Sequence, residues 1–583
     1  MQKHVVLRIL LVVQLLIGMT IRDVVFAAVW ETPIGGNSAQ QRLSETQKIV
    51  HVLNRFAFGP CPGDVERVRR LGLDRYFEQQ LDPTSIDDSG IQGRLKELST
   101  LNMSPAELAE NFSPPQRISR QSDRIGRSAQ ERTDKDRDEE DRKPRVDRAE
   151  AVNRRRVIAE LSQAKMLRAV YSKRQLQEVM VDFWTNHFNV FAAKGADRWF
   201  ITSFERDVIR PHALGKFREL LGATAKSPAM LFYLDNWLSA DPESAEKLSR
   251  WGKNRRFRRN RDRWAMSRRL SGSEETPAVA VERKTRPLGL NENYARELME
   301  LHTLGVDGGY TQKDVTEVAR CFTGWTIQNP RRGGSFRFVG LLHDRGEKEA
   351  LGIRIPSGGG IQDGEKVLDL LATHPSTARF IAGKLARKFV SDEPPQALVD
   401  RMAETFRRSD GNIQEVLRTL YHSPEFSSEQ AYRSKVKTPF ELVASSLRAL
   451  DAETSGGRPI LLILAQMGEP LFLCQPPTGY PDTAEAWVNT GAMLHRMNFG
   501  LALAANRIPG TWYRPEVQRD TTTTEDVVAQ LAGQLLQGDV SPETIVVVSQ
   551  DIDPGGQENP VPSSSLIAKA IGLLLGSPDF QRQ

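Results

Sequence analysis

Apolar residues recur at helical spacing through most of this chain. The pattern opens over 46–58 and continues with Val65, Val68 and Leu71. Apolar positions three or four residues apart form one stripe on an α-helix, whereas a half-buried strand alternates strictly. The same spacing predicts helices over 157–171, 175–191, 203–222, 291–304, 311–323, 363–373, 376–390, 396–409, 412–422, 436–450, 484–505, 524–537 and 564–575. Only Ser335–Leu342 and Thr544–Ser549 resemble strands, so we expect a mainly α, multi-helical globular protein with a few short strands.

Length and composition exclude several classes of protein. The chain has 583 residues, of which 39% are hydrophobic, and this is typical of a folded protein with a sizeable core. A wholly disordered chain, a collagen and a polytopic membrane protein are excluded. Three cysteines are too few for a disulfide scaffold. Two alternatives remain open for the cysteines: a disulfide between two of Cys61, Cys321 and Cys474, or three buried free thiols.

Two charged segments interrupt the helical pattern. Residues 113–156 mix both charges with almost no apolar residues, which predicts a disordered linker or a solvated helix. Residues 249–287 interleave arginine with Trp251, Phe257 and Trp264. That composition suits contact with a polyanion such as RNA, anionic lipid or acidic polysaccharide, and it equally suits a surface insertion without a partner.

The first residues have the composition of an export signal. Lys3 and Arg8 precede an apolar stretch, Ile9–Met19, and small residues follow at Ala27 and Ala28. We therefore expect a signal peptide over 1–27, although an uncleaved anchor remains open. The protein is then exported and periplasmic, on the cell surface or secreted. The charged segments divide the rest into a helical region at 28–112, a linker at 113–156, a first helical core at 157–248, a basic insertion at 249–287 and a second helical core at 288–583.

Six stretches of the chain resemble a known bacterial family. They are HVLNRFAFGPCPGDVERVRRLGLDRYFEQQLDP at 51–83, VDFWTNHFNVF at 181–191, GLNENYARELMELHTLGVDGGYTQKDVTEVARCFTGWT at 289–326, the His343-Asp344 pair with LG at 351–352, HPSTARFIAGKLARKFVSDEPP at 374–395 and GSPDFQ at 576–581. Together they resemble the exported family catalogued as domain of unknown function 1800. The resemblance implies a helical fold, export and a second exported protein as a partner. It carries over motif positions and no catalytic role.

The longest motif contains a helix rich in polar groups. Asn293, Arg296, Glu297 and Glu300 share one helical face, and the Arg296–Glu300 spacing predicts a helix ion pair or a buried polar clamp. Glu297 and His302 are five positions apart, so about 140° separates them around an ideal helix of 3.6 residues per turn. The two side chains therefore cannot chelate one metal from the same helix, and a metal at His302 needs ligands from other segments.

Two further groups supply candidate ligands. His187 ends an apolar stripe, where a core histidine and a metal ligand are both open interpretations. The His343-Asp344 pair precedes Gly346 at a predicted turn. Either residue there can bind a divalent metal or act as a general base, and an Asx-type turn cap is the alternative.

These residues predict one site assembled from three segments. The hypothesis assigns catalysis to His302, Glu297, His343 and Asp344, a divalent metal to His187, His302 and His343, and substrate binding to Trp184, Asn186, Asn293 and Arg296. Such a site is typical of a cell-envelope or extracellular hydrolase, or of a polymer-modifying enzyme. Because no complete known catalytic constellation is present, a non-catalytic exported scaffold that binds a partner at the cell envelope remains the alternative.

Overall fold

A computed structural model describes residues 43–112, 155–244, 246, 289–515, 523–553 and 563–583. Over these residues the protein is mainly helical, which confirms the predicted fold class. The predicted signal peptide at 1–27 and basic insertion at 249–287 lie outside the described residues. So does the predicted linker, except for residues 155 and 156, which begin a helix.

The first half of the chain forms eleven labelled helices. They are α1 Glu45–Arg55, α2 Asp64–Leu71, α3 Leu73–Leu81, α4 Ser89–Leu95, α5 Pro105–Phe112, α6 155–171, α7 Gln175–His187, α8 Asp197–Ser203, α9 Arg210–His212, α10 Phe217–Lys226 and α11 Pro228–Tyr233. Local chemistry fixes where several of them begin. The Ser44 hydroxyl accepts a hydrogen bond from the Gln47 backbone, and the Gln47 side chain accepts one from the Ser44 backbone, so α1 starts with a capping box.

The second half adds helices and three short hairpins. The helices are α12 Glu292–Glu300, α13 Gln312–Cys321, α14 Ile361–Thr373, α15 Pro375–Phe389, α16 Gln396–Arg408, α17 Ile413–Tyr421, α18 Pro439–Ala449, α19 Arg458–Gln466, α20 Thr490–Ala504, α21 Thr524–Leu536, α22 Pro542–Ile552, α23 Ser564–Gly576 and α24 Pro578–Gln581. The strands are β1 Trp325–Ile327, β2 Phe336–Phe338, β3 Lys348–Ala350, β4 Ile353–Ile355, β5 Glu453–Thr454 and β6 Thr511–Trp512. They pair antiparallel as β1–β2, β3–β4 and β5–β6.

One of the two predicted strands is wrong. Residues 544–549 lie within α22, whose N-cap is Ser541 and whose first helical residue is Pro542. Pro is well suited to the first helical position, and α22 packs against α21 and α23 through buried Val548 and Ile552. Cap chemistry and tertiary packing therefore override the strand preference of a β-branched run. Of the other predicted strand, residues 336–338 form β2.

Two predicted helices have different limits in the structure. The predicted helix at 203–222 is divided, because Lys216 forms an isolated antiparallel bridge with Asn412 before α10 begins. Residues 204–209 form a π-helical turn that continues α8 into α9. The predicted helix at 291–304 ends at Glu300, so His302 lies beyond α12.

A continuous cluster of buried apolar side chains extends from Ile49 in α1 to Phe580 in α24. The cluster contains residues from the described parts of the chain before, between and after the two charged segments. Among the described residues, no helix is long and apolar enough to cross a bilayer.

Candidate functional site

His187 and His302 come together in the interior. His187 is the last residue of α7, and its Nε2 donates a hydrogen bond to the His302 carbonyl oxygen at 3.1 Å. The two ring centroids are 6.3 Å apart. Because a carbonyl only accepts, Nε2 carries the proton, and Nδ1 of the neutral ring has no hydrogen-bond partner among the described residues.

A lysine from a third motif lies beside this pair. Lys384 is on α15, and its Nζ lies 5.8 Å from the Phe380 ring centroid. Burial and the charge of Lys384 lower the pKa of His302 to about 3. Burial, Lys384 and His302 lower the pKa of His187 well below its usual value. The motifs at 181–191, 289–326 and 374–395 thus converge on two neutral imidazoles and one amine.

Aromatic rings enclose these imidazoles. Only 2% of His187 and 2% of His302 is exposed. The His187 ring packs edge-on against Trp184 and Phe188 at centroid distances of 5.4 and 4.5 Å. Trp184 is fully buried and donates its indole N–H to the Ala213 carbonyl. This placement favours packing roles, while the metal role of the histidines and the substrate role of Trp184 stay predictions.

His343 belongs to a second buried group. Its Nδ1 lies 2.9 Å from the Thr323 carbonyl oxygen, and its Nε2 lies 3.1 Å from Asp363 Oδ2. Lys348 Nζ donates to the same Asp363 oxygen at 2.9 Å and to the carbonyls of Asp344 and Gly346. The side chains of Lys348 and Asp363 have no exposed surface. A charged pair and a histidine therefore join the β3 hairpin to α14.

Asp344 forms an Asx turn, the alternative role that its position before Gly346 predicts. Its Oδ1 accepts a hydrogen bond from the Gly346 backbone at 2.8 Å, as in an Asx turn. Arg320 of α13 binds both carboxylate oxygens, at 2.7 and 3.2 Å. Burial alone raises the pKa of Asp344, but the hydrogen bonds from Arg320 and Gly346 outweigh it and hold the pKa below its usual value.

The histidines predicted for one site belong to two buried groups in the structure. No described hydrogen bond, ion pair or ring contact joins the His187–His302 pair to the His343–Asp363 pair. The described part of the chain contains no group of three or more His, Cys, Asp or Glu side chains that can hold a metal ion. The three cysteines, Cys61, Cys321 and Cys474, are free.

Asn186 holds a loop in place. Its amide nitrogen donates to the Tyr480 carbonyl at 2.9 Å, and its amide oxygen accepts from the Tyr480 backbone N–H at 2.7 Å. Asn189 donates to the carbonyls of Cys474 and Pro476. These bonds attach the loop at 470–482 to the end of α7. Both sides of the Asn186 amide are occupied, and its predicted role in substrate binding stays untested.

The polar face of α12 differs from the expected one. Arg296 donates to the Gln312 side chain at 2.7 Å, and Glu300 accepts from the Tyr310 hydroxyl at 2.9 Å. Among the described residues Arg296 and Glu300 form no ion pair with each other, and each has a partner from outside the helix. Asn293 is exposed.

Glu297 remains as a carboxyl group without a protein partner. It is half-buried, and among the described residues no hydrogen bond or ion pair reaches its carboxylate. Burial, followed by the charge of Glu300 one turn away, raises the pKa of Glu297. Burial and then the charges of Cys474 and Glu297 raise the pKa of Tyr233, so Glu297 lies within electrostatic range of the Tyr233 hydroxyl.

Asp197 is a second carboxyl group in this neighbourhood, and it was not among the residues predicted for the site. It is fully buried at the start of α8, and neither carboxylate oxygen has a hydrogen-bond partner among the described residues. Burial raises the pKa of Asp197 well above its usual value, and its charge also acts on Tyr233. Its position six residues after the motif at 181–191 was the available signal. Lys384 lies within the motif at 374–395, whereas Tyr233 and Asp363 lie outside all six stretches.

The protein is therefore a mainly helical protein in which three of the sequence motifs meet in the interior and bury polar side chains there. Residues 51–582 match the family described as "Protein of unknown function (DUF1800)". This is nearly the whole chain, and the protein therefore belongs to that family. No curated protein and no solved structure matches the chain.

Proposed function

We propose that the protein is an exported hydrolase or polymer-modifying enzyme in which Glu297 is the general acid. The observation that carries this proposal is the state of the Glu297 carboxyl group: half-buried, without a protein partner and raised in pKa. A carboxyl group whose pKa is raised holds its proton to higher pH, and this suits it to protonating a leaving group. Perturbed carboxyl groups also concentrate at functional sites.

Glu300 is the natural second carboxylate for such a reaction. Side chains three residues apart on a helix are neighbours, with β-carbons about 5–6 Å apart. The Tyr310 hydroxyl donates to Glu300 and holds that carboxylate in position. In the proposed reaction, Glu297 gives its proton to the departing oxygen of a glycosidic or ester bond, and Glu300 removes a proton from the attacking water. After the reaction Glu300 releases the proton that it took from water to the solvent, and Glu297 takes up a proton from the solvent.

The test compares wild type with Glu297→Gln on a panel of envelope polysaccharides and ester-linked polymers, scored by new reducing ends or released acid. Glutamine keeps the shape of the side chain and removes its proton, so we expect turnover to fall by about 10²- to 10⁴-fold. Glu292→Gln, in the first turn of the same helix, is the matched control and should retain wild-type turnover. Wild-type turnover in Glu297→Gln, or no cleavage of any polymer by wild type, contradicts the proposal.

A divalent metal at His187, His302 and His343 is a separate proposal, and it requires His343 to leave Asp363 and join the His187–His302 pair. Its support is the unpartnered Nδ1 of His187 and the second imidazole beside it. Elemental analysis of untagged protein from its own compartment tests it. A stoichiometric metal that is lost in His187→Ala, His302→Ala or His343→Ala supports the site. Absence of metal from wild type, with variants that are only destabilised, rejects it.

A non-catalytic scaffold that acts with an exported partner is the second candidate. Exposed apolar side chains favour it: Leu494 on α20 is 59% exposed and Leu462 on the adjoining α19 is 50% exposed. Capture from envelope extracts should then recover one stoichiometric partner, which Leu494→Glu releases. Leu341→Glu is the control, because Leu341 is 71% exposed on a different part of the surface. Isolation of a partner-free monomer from its own envelope contradicts the scaffold role.

Export and polyanion binding are proposals that concern segments 1–27 and 249–287. Fractionation of the source cells and N-terminal sequencing of the mature protein test the first. Retention on heparin that falls steeply with salt, and that disappears when 249–287 is deleted, is expected for the second. Retention unchanged by the deletion contradicts it.

A further inference from the structure

Lys437 is a buried amine without a hydrogen-bond partner. It lies just before α18, and 4% of it is exposed. Its Nζ lies 4.1 Å from the centroid of the Phe580 ring, and no described residue accepts a hydrogen bond from it. By contrast, three oxygen atoms surround the buried ammonium of Lys348. The described partner of the Lys437 ammonium is the face of the Phe580 ring, so its N–H groups can donate to an acceptor that enters from outside the protein.

Lys437 lines a small pocket at the junction of the first and last helices. Its walls include Asn54 and Pro60 from the N-terminal motif, Arg433, and Asp579, Phe580 and Arg582 from the C-terminal segment. The Asn54 amide makes no hydrogen bond within the described residues. The pocket therefore contains two polar side chains, an ammonium and an amide, whose hydrogen-bonding capacity the protein does not use.

The nearby negative charges already have partners. Asp579 accepts from Arg433 at 3.2 Å and from the Ser541 hydroxyl at 2.7 Å. Glu441 is paired with Lys388 at 2.6 Å. Two cations, Arg496 and Arg433, are also close to Lys437, and Arg433 is ion-paired with Asp579 and Asp539. Burial lowers the pKa of Lys437 to about 7; Glu441 opposes this effect, and the two arginines add to it.

We propose that this pocket binds a small oxyanion, of the class of phosphate or a short carboxylate, through the ammonium of Lys437 and the amide of Asn54. An oxyanion supplies the missing acceptors and offsets the excess positive charge of the walls. Because the pocket lies at a helix junction, the bound anion links the N-terminal and C-terminal segments. This inference is independent of the proposed catalysis at Glu297.

Calorimetric titration of the full-length mature protein with inorganic phosphate tests the proposal, with sodium chloride at matched ionic strength as the reference. We expect one phosphate per chain, and we expect Lys437→Met to weaken binding by about 10- to 100-fold, the equivalent of one charge-assisted hydrogen bond. Lys366→Met is the matched control, because Lys366 is exposed on α14. A phosphate isotherm no different from that of chloride, or equal affinity in wild type and a folded Lys437→Met variant, overturns the proposal.

A measurement on wild type keeps the test independent of whether the variant folds. Amine acetylation at pH 7.5, mapped by mass spectrometry, reports on the uncharged fraction and accessibility of each lysine. Bound phosphate stabilises the ammonium form of Lys437 and covers it, so acetylation of Lys437 should fall several-fold in phosphate while that of Lys366 is unchanged. Acetate in place of phosphate distinguishes the carboxylate source. Equal acetylation of Lys437 in phosphate, acetate and chloride overturns the proposal.

Discussion

Lys348→Met is the substitution whose cost the structure defines most clearly. The Lys348 ammonium has no exposed surface and donates to Asp363 at 2.9 Å, the Asp344 carbonyl at 2.7 Å and the Gly346 carbonyl at 2.9 Å. Methionine matches the length of the lysine stem and removes the charge together with the three donors. After the change, His343 is the one side chain among the described residues that still forms a hydrogen bond with the Asp363 carboxylate.

The loss in free energy of unfolding is large because removing one partner of a buried ion pair costs more than replacing both partners. Removal of one partner leaves an uncompensated charge in the interior and typically costs about 3–5 kcal/mol. One oxygen of Asp363 already lacks a hydrogen-bond partner among the described residues, so this carboxylate has little spare stabilisation. We therefore expect Lys348→Met to lower the free energy of unfolding by about 4 kcal/mol, roughly a thousand-fold in the unfolding equilibrium constant.

Chemical denaturation followed by tryptophan fluorescence and by circular dichroism provides the assay. The matched control is Lys366→Met, an exposed lysine on the adjoining α14, which should change the free energy of unfolding by less than about 0.5 kcal/mol. The double variant Lys348→Met/Asp363→Asn removes both charges and should regain part of the loss. A Lys348→Met protein within about 1 kcal/mol of wild type would refute the reasoning, because a buried, fully bonded ammonium cannot be that dispensable.

Four further predictions address other parts of the fold. Burial and Lys384 lower the pKa of His302 from 6.5 to about 3, so folding excludes a proton that the unfolded chain binds, and stability is lost as the pH falls from 6.5 toward 3. Between pH 7.5 and 5.5, wild type should therefore lose about 1.4 kcal/mol more unfolding free energy than His302→Leu, and equal losses would contradict this titration. Asn186→Ala removes the two hydrogen bonds between the Asn186 side chain and the loop at 470–482, and it should lower the free energy of unfolding by about 1–3 kcal/mol. The exposed Asn293→Ala should lower it by less than about 0.5 kcal/mol. Similar denaturation midpoints for the two variants would argue against a stabilising role of Asn186 at this loop. Burial raises the pKa of Cys321 to about 12, so native protein should alkylate at Cys321 at least ten times more slowly than unfolded protein, and equal rates by mass spectrometry would show that the thiol is accessible. A β-carbon added at Gly364 would lie 2.6 Å from a buried indole ring, so Gly364→Ala should destabilise by about 1–3 kcal/mol in thermal denaturation, whereas an unchanged melting temperature would mean that the contact relaxes freely.

The helices were largely predictable because their signals are local. Thr438 and Glu441 form a capping box at the start of α18, and both residues are within four positions of each other in the chain. The apolar spacing that predicts α13 to α18 also identifies the faces that enter the core. The failure at 544–549 has an equally physical origin, since a β-branched run has no fixed conformation until its neighbours supply a surface to pack against.

The candidate site was predictable only in part. Glu297 was recognised from its motif, and the convergence of His187 with His302 agrees with the idea that separate segments build one group. The pairing of His343 with Asp363 was not foreseen, because the two residues are twenty positions apart and are joined across a turn and a helix end. Spacing within a helix also does not reveal that Glu300 binds Tyr310 and Arg296 binds Gln312, instead of binding each other.

The sequence by itself determined the family, the helical fold class and most helix positions, because motifs, caps and periodicity depend on residues close together in the chain. Only the tertiary structure decided which polar groups are buried and which of them lack partners. The pKa of Glu297, the neutral state of His302 and the unsatisfied ammonium of Lys437 all depend on burial and on charges that arrive from distant segments. Desolvation and Coulomb energy are set by distances in space, and no local pattern in a sequence contains those distances.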